Sequence, residues 1–79
     1  MKKYFIGDVS DMTGATKRQL RLWEERGYIP PSTRLECGEK SYRQYDVEMV
    51  DQIRRVKKYV DDGYTLKVAA RKARQESRN

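Results

Sequence analysis

Ile6-Gly7-Asp8-Val9-Ser10-Asp11-Met12-Thr13-Gly14-Ala15-Thr16-Lys17-Arg18-Gln19-Leu20-Arg21-Leu22-Trp23-Glu24-Glu25-Arg26-Gly27 decides the fold. Ile6, Val9 and Met12 recur at three-residue spacing and share one helical face. Asp8 falls in the first turn, where the helix dipole favours an acid, and Gly14 is placed as a left-handed stop. The spacing predicts a helix of about two turns. Thr16 then stands as an N-cap, with Gln19 three residues on completing a capping-box pattern. Leu20 and Trp23 share the inner face of this second helix, Gly27 ends it, and Pro30-Pro31 prevents its continuation. Two helices joined by so tight a turn are a helix-turn-helix candidate. With Leu20 and Trp23 turned inward, Lys17, Arg18 and Arg21 lie on other faces, free to meet a ligand.

Outward from this unit, residues 32–45 carry no helical period. Ser32 to Glu36 and Ser41 to Tyr45 are expected as two short strands around a Cys37-Gly38-Glu39-Lys40 turn, with Gly38 supplying a positive φ. A lone two-stranded hairpin is marginal in water, so it must lean on the helices through Leu35, Tyr42 or Tyr45. Asp46 caps a third helix whose apolar stripe is Val47, Val50, Ile53, Val56 and Val60, and Gly63 ends it. Thr65 caps a fourth helix with Leu66, Ala69, Ala70 and Ala73 inward. Residues Gln75 to Asn79 are expected to fray.

The chain has 79 residues, room for one small domain with one thin core over 1–79. Hydrophobic residues make up 37% and charged residues 38%. The net charge of +6 favours polyanions, nucleic acid first and an acidic membrane surface second. Residues 65–79 hold five Lys/Arg against one acid, which reads either as part of that basic surface or as a solvated helix face. One cysteine, Cys37, and no histidine exclude an internal disulfide and the usual Cys/His metal cage, so no metal and no cofactor is expected. Residues 1–6 hold no apolar run of signal-peptide length, and no window approaches a membrane span, so a soluble, cytoplasmic chain with no membrane partner is expected. An enzyme is not expected: there is no histidine, no reactive-cysteine setting and no carboxylate pair placed for acid–base work.

The chemistry on offer is therefore electrostatic and geometric. A helix that enters the major groove by its N-terminal end brings its first two turns to base edges. Thr16, Lys17 and Arg18 occupy that place, and an arginine fork matches guanine. Arg21 is one turn further, where phosphates flank the groove; the competing reading pairs it with Glu24 or Glu25 at helical spacing. Tyr42 and Arg43 can reach backbone phosphates from the hairpin. Tyr42 and Tyr45 alternate with Arg43, so some of them must pack; Tyr45 is assigned to the core and Tyr42 to the nucleic-acid side. Trp23 is read as core, and Cys37 as an incidental exposed thiol.

The order of these pieces resembles the MerR family of transcription regulators, over nearly the whole chain. The matching segments are Ile6-Gly7-Asp8-Val9, Thr13-Gly14, Leu20-Arg21-Leu22-Trp23-Glu24, Gly27-Tyr28-Ile29-Pro30, Tyr42-Arg43-Gln44-Tyr45 with Asp46-Val47, and Gly63-Tyr64-Thr65-Leu66. Leu22 departs from the family's usual aromatic pair and removes a phosphate-binding tyrosine hydroxyl. The resemblance implies a mostly α winged helix-turn-helix domain of four helices with a small β-hairpin wing. It also implies sequence-selective binding of double-stranded promoter or operator DNA, as a two-fold dimer on a near-palindromic site. Distortion of that DNA would realign the promoter for RNA polymerase, an indirect partner. Family members continue into a long dimerisation helix, which this chain does not reach. It is accordingly expected as a truncated or minimal relative, monomeric by itself. Two other readings stay open on the sequence: an excisionase-like factor that bends DNA in recombination, and a protein–protein adaptor on the same scaffold.

Overall fold

A computed structural model describes residues 2–77, with the side chain of Ser77 left aside. The elements in chain order are β1 (Tyr4–Phe5), α1 (Ile6–Thr13), α2 (Lys17–Glu25), β2 (Thr33–Cys37), β3 (Lys40–Tyr45), α3 (Val47–Asp61) and α4 (Leu66–Ser77). The three strands form one antiparallel sheet in the order β1-β3-β2. The chain is thus mostly helical with a hairpin wing, as the sequence predicts. Among the described residues no helix is long and apolar enough to cross a membrane.

The turn between α1 and α2 is sewn by short-range hydrogen bonds. Gly14 takes φ +82°, where an L side chain is strained, and its amide donates to Ser10 O at 2.9 Å. Ser10 Oγ donates to Ala15 O at 2.7 Å, and Ala15 N donates to Thr13 Oγ1 at 3.2 Å. The predicted capping box at α2 is present in both directions: Gln19 N donates to Thr16 Oγ1 at 3.0 Å, and Thr16 N to Gln19 Oε1 at 2.9 Å. At its other end α2 closes with Gly27 at φ +78°. The Gly27 amide bonds to Glu24 O and the Tyr28 amide to Trp23 O, at 3.1 and 2.8 Å. Both ends of α2 are therefore capped, the Thr16 and Gln19 amides at one end and the Trp23 and Glu24 carbonyls at the other each finding a partner within a few residues.

The core draws on α1, α2, β3, α3 and α4, with Tyr4 of β1 packed against it. Val9, Leu20, Trp23, Ile29, Tyr45, Val50, Ile53, Val56, Ala69 and Ala73 are buried in one cluster. Asp46 caps α3 by accepting from Met49 N at 2.8 Å, and Thr65 Oγ1 accepts from Val68 N at 3.3 Å. Ala69, Ala70 and Ala73 are buried, as predicted for the inner face of α4. That helix continues through Ser77, so Gln75 and Glu76 are helical rather than frayed; Arg78 and Asn79 lie outside the described residues.

Two expectations are corrected. Val47 is 52% exposed, and Met49 is buried in its stead. A helix turns by about 100° per residue, so nine residues separate Val47 and Val56 by about half a turn of the cylinder, and a strict three-residue stripe cannot stay on one face. Of the three residues offered for the hairpin's contact with the helices, Tyr45 takes it and is buried, while Leu35 and Tyr42 are cross-strand partners on the outer face. The strands also run closer to the hairpin tip than predicted, to Cys37 and from Lys40, leaving Gly38 and Glu39 as the turn. The two-residue β1 had no counterpart in the sequence reading. It pairs Tyr4 with Tyr45 and Phe5 with Gln44, joining the chain's start to the wing.

Candidate nucleic-acid interface

The first two turns of α2 present a cationic surface on a capped, well-anchored helix. Thr16, Lys17, Arg18 and Arg21 are all exposed, while Leu20 and Trp23 on the opposite face are buried. Lys17 carries its stem back across α1: a Cβ placed on Gly7 would lie 3.7 Å from Lys17 Cε. The two helices therefore meet through a glycine and an aliphatic stem, and the Lys17 ammonium sits at the α1–α2 seam.

The wing is exposed along β2 and the first half of β3. Tyr42 projects outward, 43% exposed, with its ring edge-on to Phe5 at 6.1 Å between centroids. Phe5 belongs to β1, so the short third strand braces the side chain that the sequence reading placed on the nucleic-acid side. Cys37 is exposed at the hairpin tip.

Arg43 has a different setting from the other candidate residues. Side chains alternate along a strand, so Arg43 shares the face of Tyr45, toward α2. Its Nε lies 3.9 Å from Glu24 Oε1. Glu24 in turn accepts from Ser32 Oγ at 2.8 and 3.0 Å. The Tyr45 hydroxyl is buried beside this group and makes no hydrogen bond among the described residues. Burial pushes the Tyr45 hydroxyl above its ordinary value of 10.0, and the Glu24 carboxylate adds to the rise; the Arg43 and Arg34 charges act against it. The structure thus gathers Thr16, Lys17, Arg18 and Arg21 on one exposed stretch and Tyr42 on the exposed wing, while turning Arg43 inward.

A second basic surface lies at the far end of α2. A groove of about 530 Å³ is lined there by Arg26, Tyr28, Lys67, Arg71 and Arg74 among others. Arg74 Nη2 donates to the Gly27 carbonyl and so ties α4 to the end of α2. The charge excess of residues 65–79 was the sequence signal for α4's share of this groove. Nothing local in the sequence brings Arg26 to it.

Residues 4–76 match the family described as MerR HTH family regulatory protein. The chain belongs to the MerR family. It is 36% identical over 64 residues to the mercuric resistance operon regulatory protein of Bacillus cereus, covering 81% of this chain and 46% of that protein. It is also 33% identical over 52 residues to the HTH-type transcriptional regulator CueR of Escherichia coli O157:H7 and of Salmonella typhi, covering 66% of this chain and 38% of each. The chain therefore spans less than half the length of these MerR relatives. All are named as regulators, and the family match over residues 4–76 spans the two helices and the wing described above.

Proposed function

We propose that this chain binds double-stranded DNA in transcription regulation of the MerR type, with α2 in the major groove and the β2–β3 wing along the backbone. The observation that carries the reading is the exposed Thr16-Lys17-Arg18 turn on a helix capped at both ends and backed by buried Leu20 and Trp23. Such a turn delivers donors to base edges from a backbone that is already ordered. Arg18 reaches a base edge, Lys17 and Arg21 meet flanking phosphates, and Tyr42 donates to the backbone from the wing. The names of the MerR relatives, all regulators, support the same reading. In a longer protein the domain works as one half of a two-fold dimer on a near-palindromic promoter, acting on RNA polymerase through the DNA. By itself this stretch occupies half-sites, weakly, because one module lacks the effective concentration that a linked pair gains.

Selection of bound duplexes from a random library, followed by footprinting on the source genome, tests this. Recovery of a promoter half-site is expected. Enrichment of recombination-site repeats would replace regulation with an excisionase role, and failure to enrich any duplex would leave the adaptor reading in its place.

A further inference from the structure

Arg43 matches the Tyr-Arg-x-Tyr pattern of the wing, yet its surroundings hold it away from solvent. The Arg43 and Glu24 side chains are only 21% and 13% exposed. Arg43 Nε and Nη1 are buried and out of hydrogen-bonding reach of any acceptor among the described residues. A guanidinium in that position depends on the carboxylate facing it, because a buried charge without a counter-charge is costly. The strand register adds a second demand. Arg34 stands directly across from Arg43, and like charges opposed on neighbouring strands repel. Glu24 supplies the counter-charge to Arg43, and the Ser32 hydroxyl, donating to its two oxygens, holds the carboxylate toward the wing. The three residues come from α2, from the loop after Pro30-Pro31, and from β3. They join the helix proposed to read DNA to the wing proposed to lie on its backbone.

We propose that Glu24 and Ser32 form a seat for the Arg43 guanidinium, and that this seat sets the tilt of the wing against α2. Glu24 and Arg43 are then positioning residues for DNA binding, and neither touches the DNA. This assignment rests on the DNA-binding reading above. It sets Arg43 apart from Lys17 and Arg21, which meet the polyanion themselves.

The two roles make opposite demands on Glu24. If Arg43 contacts a phosphate, Glu24→Gln frees it and removes a repelling charge, so affinity rises. If Arg43 is seated, the same change tilts the wing and affinity falls. The experiment titrates the chain and its Glu24→Gln, Arg43→Gln, Arg43→Lys and double Gln variants onto one selected duplex at several salt concentrations. Residual dipolar couplings of the wing amides are measured without DNA. Seating predicts that each single variant loses affinity roughly tenfold and that the double variant loses no more than the worse single. It also predicts that Arg43→Lys, which keeps the charge but not the fork, fails like Arg43→Gln, and that the couplings of residues 33–45 change in every variant.

The assignment is overturned if Glu24→Gln tightens binding, if Arg43→Lys restores it, or if Arg43→Gln alone removes about 0.9 from the salt slope. Unchanged couplings overturn it as well. Should Arg43→Gln not fold, Glu24→Gln and Arg43→Lys still separate the roles by sign. A wild-type chain that ignores every duplex defeats the DNA-binding reading and the DNA part of this one together, and the couplings then decide alone whether the seat orients the wing.

Discussion

Salt is the perturbation that tests the proposed interface most directly. Lys17 and Arg21 on α2 and Arg34 and Lys40 on the wing are exposed on the two elements assigned to DNA. If each neutralises one phosphate, counterion release gives a slope of about −3.6 for log K against log salt. Raising salt from about 50 to 200 mM should then weaken binding roughly 150-fold. Arg43 is omitted because its guanidinium faces Glu24 at 3.9 Å. Fluorescence anisotropy with a labelled duplex, repeated at several salt concentrations, measures the slope. Arg21→Ala should make it shallower by about 0.9 and leave the preferred sequence unchanged. A slope shallower than about −1 would refute the reasoning, since it would leave at most one phosphate contact for four exposed cations. Binding of that kind would belong to a protein surface, and the adaptor reading would gain.

The other expectations concern single residues and assembly. Arg18→Ala should relax preference at one or two base pairs and cost about 1–3 kcal/mol on the selected site, as competition against single-mismatch duplexes would show. Thr16→Ala opens the capping box and should cost about 1 kcal/mol in urea unfolding, while Thr16→Ser or Thr16→Asn should recover most of it. Tyr45→Phe removes a buried hydroxyl that makes no hydrogen bond among the described residues, so stability at neutral pH should hold or rise. The folded pKa of Tyr45 lies above its ordinary 10.0, so its protonation stabilises the fold below that pH, and this contribution is lost as pH rises through the folded value. Alkaline unfolding curves should show a drop in the wild type that is smaller in Tyr45→Phe. In sedimentation this 79-residue chain should be a monomer at micromolar concentration, because Ala69, Ala70 and Ala73 are already buried. A stable dimer without DNA would mean that α4 serves as an interface.

Much of the fold was legible because its determinants are local. Thr16 with Gln19, Asp46 ahead of α3 and Gly14 after α1 each act within three or four residues, and each behaves in the structure as read. The burial of Leu20, Trp23 and Tyr45 followed from periodicity and side-chain size. What escaped reading depends on distant partners. Two residues at Tyr4–Phe5 have no alternation to detect and become a strand only because β3 offers an edge. Val47 misled because its spacing fits over one or two turns and fails over three. Arg26 reaches the basic groove only through packing of α4 beside the end of α2.

Arg43 lies between these cases. Once Tyr45 is assigned inward, a period of two carries Arg43 inward as well, and a cation on a core-facing position requires a counter-charge. That much was available from Tyr42-Arg43-Gln44-Tyr45 alone, and it conflicts with a free phosphate contact. The choice of acid was partly available too. Trp23 marks the inner line of α2, and with about 100° per residue Glu24 stands nearer to that line than Glu25 does. The structure agrees, with Glu24 half-buried and Glu25 exposed. The chain between the helix and the wing was not available, because the path after Pro30-Pro31 decides whether Ser32 and β3 arrive over Glu24. A sequence motif can therefore name the wing arginine while leaving open whether it grips DNA or holds the wing. The direction of the Glu24→Gln effect on affinity separates the two.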